Sequence, residues 1–174
     1  MREPVPGVTD RPAQSPESTL ESYTAAFPEE DAGALATHLA LAAASGLLTR
    51  GIEARIQELG FDLSRPRYSI VRMLYLSPEQ AMAQSDIVQA LGVSGSNVTQ
   101  LVDALAADGW VERTVSPADK RVTYAALTEA GKDRAARLVP AIVKYMVESC
   151  SALSPEEQHE LRRLVDKVRA SGSA

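Results

Sequence analysis

Residues 83–131 limit the possible folds of this chain more than any other stretch. They read AQSDIVQALGVSGSNVTQLVDALAADGWVERTVSPADKRVTYAALTEAG. A short apolar-periodic segment (Ile87, Val88, Ala90, Leu91) stops at Gly92, and a second carries Val98, Leu101, Val102 and Leu105. The second set is spaced i, i+3, i+4, i+7, one buried face of a helix. Gly109 follows, then a strand-like run from Trp110 to Val115, a turn at Ser116-Pro117-Ala118-Asp119, and a second strand-like run from Val122 to Leu127. Helix, turn, helix and β-hairpin in that order make a winged helix-turn-helix. The fold class expected is mainly α with a small β-hairpin wing.

The boundaries have local causes. The Ser94 hydroxyl can satisfy a free N–H in the first turn of the second helix. Gly92 and Gly109 stand just past apolar runs, where a left-handed terminal residue is needed. Pro117 cannot donate to a ladder and belongs in the turn.

With Val98, Leu101, Val102 and Leu105 inward, the opposite face of the second helix carries Ser96, Gln100 and Asp103, flanked by Asn97, Thr99 and Ala104. Small polar side chains of this kind reach base edges and phosphates. The candidate DNA contacts are therefore Ser94, Ser96, Asn97, Thr99 and Gln100 on the helix, with Arg113, Lys120 and Arg121 on the hairpin. The helix has no Arg or Lys of its own. An arginine at the hairpin tip suits a minor groove, where the potential is most negative. Asp119 reads as a partner that orients Arg113 or Arg121 rather than as a DNA contact.

Asp119-Lys120-Arg121, five residues, Leu127-Thr128, two residues and Gly131 fit D-x-R-x5-L-T-x-x-G. This resembles the wing signature of MarR-family transcriptional regulators, and VSGSNVTQLVDALAADGWVER resembles that family's recognition helix and first wing strand. The resemblance spans roughly Leu35 to Val168 in architecture, with motif-level detail from Leu91 to Gly131. It implies a homodimer, a palindromic operator in double-stranded DNA and, often, a small aromatic ligand that releases the DNA. Many members carry a basic residue where Gln100 stands.

A net charge of −5 is unexpected for a DNA binder, but it is localised. Residues 1–31 hold seven acidic and two basic side chains, and the remainder is balanced. A neutral body with a basic wing tip implies modest non-specific attraction to DNA and reliance on specific contacts. No apolar run approaches the ~20 residues of a membrane span. The first residues, MREPVPG, lack an apolar signal core, and Cys150 is the only cysteine, so a cytoplasmic location with no membrane partner is expected.

The chain reads as four segments. Residues 1–29, with five prolines by position 28, form an arm that is mobile or packs on a partner subunit through Leu20, Tyr23 and Phe27, which could support a short helix. Residues 30–62 form an N-terminal dimerisation helix that is apolar nearly all round from Ala40 to Leu48. Residues 63–131 are the DNA-binding lobe. It opens with a helix from Leu63 to Leu76, which has Ser64 as cap and Pro66 in its first turn. Residues 132–172 are C-terminal dimerisation helices. The first has an apolar stripe interrupted by Pro140, so a kink near Ala136–Arg137 is expected. The second opens on Ser154-Pro155-Glu156-Glu157, a capping-box signature. In the resembled family the ligand cleft lies between the dimer helices and the reading lobe. Tyr68 and Arg72, four apart on one face, and His38 are the candidate pocket residues. Cys150 reads as a small packing residue.

Nothing points to an enzyme or a cofactor. There is no phosphate-binding glycine loop and no Cys/His metal spacing, and His38 and His159 stand far apart without an evident acid or nucleophile partner. Two rival readings remain: a winged-helix module that binds a protein instead of DNA, and a constitutive DNA binder with no ligand.

Overall fold

The computed structural model describes residues 15–115, 120 and 122–171. Seven helices and three strands run in the order α1 (Pro16–Ala26), α2 (Ala32–Glu58), α3 (Arg65–Leu76), β1 (Ala81–Ala83), α4 (Gln84–Leu91), α5 (Gly95–Ala107), β2 (Val111–Val115), β3 (Thr123–Leu127), α6 (Glu129–Glu148) and α7 (Pro155–Ser171) among these residues. The chain divides into two compact units, residues 1–50 and 51–174.

The first unit meets one expectation and departs from another. Part of the proline-rich arm is helical. Ser15 caps α1 by accepting the Ser18 N–H at 3.2 Å, and Pro16 occupies the first turn, where its missing N–H costs nothing. Leu20 and Glu17 of α1 face Ala36, Leu39 and Ala40 of α2 across a small apolar cleft. A short helix here is one of the readings the arm allows, and it meets a helix that offers an apolar face. Residues 1–14 lie outside the described residues. The departure is the hydropathy of α2. It contains an 18-residue window of mean hydropathy 1.4, long and apolar enough by length and composition to cross a membrane. Counting uninterrupted apolar runs missed it because Thr37, His38, Ser45 and Thr49 break the run without lowering the average much. No residue of α2 before Ile52 is buried.

The second unit contains the core. Ile52 and Ile56 from the end of α2 join Tyr68, Ile70, Val71 and Leu74 of α3, Ile87 of α4, and Val98, Val102 and Leu105 of α5. Leu138, Val139 and Ile142 of α6 close it. The sheet is antiparallel in the order β1-β3-β2, with Ala81 opposite Ala126 and Val111 opposite Leu127. The sequence pattern predicts two strands. The third, Ala-Met-Ala, has no β-branched or alternating signal, and exists by pairing along β3. Gln80 before it takes a φ of 52°, and its carbonyl accepts the Leu127 N–H at 3.0 Å.

The start of α6 explains the Leu-Thr-x-x-Gly part of the motif. The Thr128 hydroxyl accepts the Gly131 N–H at 2.9 Å and donates to the Gly109 carbonyl at 2.9 Å. One side chain thus caps α6 and ties it to the turn after α5. A Cβ on Gly131 would collide with the Trp110 carbonyl, so only glycine allows the close approach. Farther along, α6 runs as one helix through Pro140. At α7 the capping box forms reciprocally. Ser154 Oγ accepts the Glu157 N–H at 3.2 Å, and the Glu157 carboxylate accepts the Ser154 N–H at 2.8 Å.

Candidate nucleic-acid interface

Helices α4 and α5 form the expected pair. Gly92 ends α4 in the left-handed conformation, φ 64°, with its N–H bonded to the Val88 carbonyl at 2.9 Å. Ser94 then starts α5. Its backbone is extended, and its hydroxyl accepts the Asn97 N–H at 3.3 Å. That hydroxyl also lies 3.1 Å from the Ser96 hydroxyl, so Ser94 is engaged in holding the helix end.

The inward face is as expected. Val98, Val102 and Leu105 are fully buried and Leu101 is partly so. On the other side Ser96, Asn97, Gln100, Asp103 and Ala104 are exposed, and Thr99 is half-buried. A polar, cation-free surface two turns long is therefore presented by a helix whose back is locked into the core.

The hairpin supplies the cation. Arg113 on β2 pairs through Nη1 with the Asp103 carboxylate, and its Nη2 donates to Gln84 Oε1 at 3.2 Å. The sequence suggested Asp119 as a possible partner of this arginine. Among the described residues its carboxylate partner is Asp103, because the β2 strand runs back beside α5 and brings residues ten apart into contact. Lys120 is exposed at the turn, while Ser116, Pro117, Ala118, Asp119 and Arg121 lie outside the described residues. Gln84 is a participant that no sequence signal marks. Its oxygen receives Arg113, and its Nε2 is buried without a hydrogen-bond partner.

Of the three candidate pocket residues, Tyr68 and Arg72 stand on α3 in the second unit and His38 on α2 in the first. Tyr68 is only 3% exposed and its ring belongs to the core. Its hydroxyl has no partner, and burial raises its pKa above the ordinary value near 10, against the opposing fields of Arg72 and Arg65. Arg72 is half-buried, and His38 is exposed on the first unit. The four-residue spacing does put Tyr68 and Arg72 on one side of α3, but that side faces inward at Tyr68. A cavity of about 340 Å³ opens nearby between α3 and the α4–α5 turn, lined by Arg65, Pro66, Ser69, Leu91, Val93, Asn97 and Leu101. Sequence periodicity cannot find such a cavity, because its walls come from three separate elements.

Residues 61–122 match the profile of the MarR family. The uncharacterized HTH-type transcriptional regulator YkoM of Bacillus subtilis is 32% identical over 112 residues, 64% of this chain and 70% of YkoM. The transcriptional repressor MprA of Escherichia coli is 33% identical over 84 residues, 48% of each chain. Among solved structures, AbsC, a MarR family transcriptional regulator from Streptomyces coelicolor, superposes with a TM-score of 0.69 at 27% identity, covering 79% of this chain and 90% of AbsC. With the helix pair, the wing and the Thr128–Gly131 seam in place, the chain belongs to the MarR family and is a DNA-binding transcriptional regulator with a winged helix-turn-helix fold.

Proposed function

We propose that two copies of this chain bind a palindromic operator and repress transcription until a small aromatic ligand releases them. The observation that carries this reading is the exposed polar face of α5, fixed from behind by Val98, Val102 and Leu105 and from the side by the Asp103–Arg113 pair. Ser96, Asn97, Thr99 and Gln100 meet base edges and phosphates in a major groove. Ser94 sets the helix end and adds a phosphate contact. Arg113, Lys120 and Arg121 meet the backbone and the adjacent minor groove.

A homodimer is supported by what the single chain leaves uncovered. Leu47 and Leu48 of α2, Val143, Met146 and Val147 of α6, and Leu161, Leu164 and Val168 of α7 are all more than two-fifths exposed. Apolar surface in this quantity marks an interface. Two-fold symmetry then sets half-sites one helical turn, ~34 Å, apart. MprA, named a repressor, supports the sign of regulation. The cavity under α5 supports the ligand: Asn97 and Leu101 line it, so filling it moves the helix that reads DNA. Tyr68, Arg72 and His38 are further candidates for the ligand response.

Fluorescence anisotropy on the chain's own upstream DNA and on scrambled DNA, across a salt series, tests the proposal. Preference for the upstream fragment with a shallow salt slope is expected. No preference for any genomic fragment at any salt would favour a protein partner for this face. Aromatic acids that change neither melting temperature nor DNA affinity would favour a constitutive binder.

A further inference from the structure

A second cavity, of about 400 Å³, lies at the far end of α5, lined by Gly60, Phe61, Asp62, Asp108, Trp110, Arg134 and Arg137. That volume is within the range of small-molecule sites, roughly 300–1,000 Å³. Its wall combines two tilted aromatic rings with two guanidinium groups. Phe61 and Trp110 lie 5.5 Å apart between centroids, Arg134 covers Trp110 at 5.1 Å, and Arg137 covers Phe61 at 5.8 Å. The two arginines are three residues apart on α6 and so share one face. Arg134 is further fixed by donating to the Asp108 carbonyl at 3.0 Å.

The charges around the cavity do not cancel. Arg67 is already paired with the Asp108 carboxylate at 2.6 Å. Among the described residues, Arg134 and Arg137 have no carboxylate partner, and the Asp62 carboxylate accepts no hydrogen bond. Guanidinium groups held over aromatic rings lose little freedom on binding, and their forks match the oxygens of a phosphate. A free carboxylate beside them suits hydroxyl donors on the rest of such a molecule.

We infer that this cavity binds a small hydroxylated phosphate ester, with Arg134 and Arg137 on the phosphate and Asp62 on the hydroxyls. The phosphate is not that of DNA. The argument rests here on the proposed reading, in which the Ser94 end of α5 meets the groove. A helix of thirteen residues puts its other end ~20 Å away.

Isothermal titration and thermal melting of the full chain, at matched ionic strength, use glucose 6-phosphate, inorganic phosphate and glucose as probes. Both phosphates are expected to bind saturably and raise the melting temperature, and glucose to do neither. Arg137→Gln, at an exposed position, is expected to weaken both phosphates tenfold or more. Asp62→Asn is expected to weaken glucose 6-phosphate alone. The site is overturned if neither phosphate binds at about 10 mM, a Kd worth under ~3 kcal/mol, or if Arg137→Gln leaves their affinity unchanged. Unaltered glucose 6-phosphate binding by Asp62→Asn would overturn the hydroxyl assignment. The same preparations are titrated with the upstream DNA fragment. Loss of phosphate binding with DNA recognition intact removes this site alone. Phosphate binding by a protein indifferent to all DNA removes the DNA reading alone.

Discussion

The Asp103 carboxylate lies against the Arg113 guanidinium and joins the middle of the reading helix to the root of the wing. Both side chains are a third or more exposed, so water screens the pair and its contribution to stability is about 0–1 kcal/mol. Its larger effect is on geometry. Asp103→Ala is expected to change unfolding free energy by less than about 1 kcal/mol. It should lower the ratio of operator to random-DNA affinity roughly tenfold, because a released Arg113 finds phosphates without register. Anisotropy on both DNAs measures this ratio. Equal changes on the two would mean that Asp103 acts only as a charge.

Gly131 and Gly95 make opposite predictions. Gly131→Ala drives a Cβ into the Trp110 carbonyl and should cost about 1–3 kcal/mol in urea unfolding. A Cβ at Gly95, in the first turn of α5, meets nothing within 4 Å. Gly95→Ala should be neutral or stabilise by up to ~1 kcal/mol through helix propensity. Similar losses at both positions would contradict the close approach at Trp110.

Tyr68 gives a pH dependence. Its folded pKa is raised, so above the ordinary value near 10 the unfolded chain releases the proton more readily than the folded one. Stability is then fully present below that pH and is lost as pH rises through it. Tyr68→Phe removes a buried hydroxyl that has no partner, so at pH 7 it should leave stability unchanged or raise it by up to about 1 kcal/mol. It should also flatten part of the decline in melting temperature above pH 10. A steeper decline in the variant would mean that the folded chain favours the phenolate, against the raised pKa.

The exposed apolar stripes make the dimer testable. Leu47→Glu and Val147→Glu, at positions 63% and 68% exposed, should leave the fold of the second unit intact by circular dichroism. Each should raise the dimer dissociation constant at least a hundredfold in sedimentation equilibrium, because a carboxylate would be desolvated in the interface. Retention of the wild-type dimer by both would move the interface elsewhere.

Much of the reading lobe was legible in the residues themselves. Apolar spacing from Ile87 to Leu105, the cap at Ser94 and the left-handed turns at Gly92 and Gly109 are local features, and local features are what a sequence displays. What was hidden depends on partners distant in the chain. The residues of α1 leave a mobile arm and a short packed helix both open until α2 is there to receive Leu20. Strand β1 has no pattern because the β3 ladder makes it. The spacing of Tyr68 to Arg72 suits a ligand face and a packed tyrosine alike, and only tertiary packing puts the ring in the core. The partner of Arg113 depends on how β2 returns along α5, which no periodicity encodes.

The close contact between Gly131 and Trp110 has a bearing on how chains of this kind are recognised. The motif's threonine and glycine touch backbone at the seam between wing and long helix, the first by hydrogen bonds and the second by close approach. A sequence could exchange every groove-facing side chain and still need both. Those two letters therefore certify a shape, and the particular DNA each such protein selects must be sought in residues that the signature leaves free to vary.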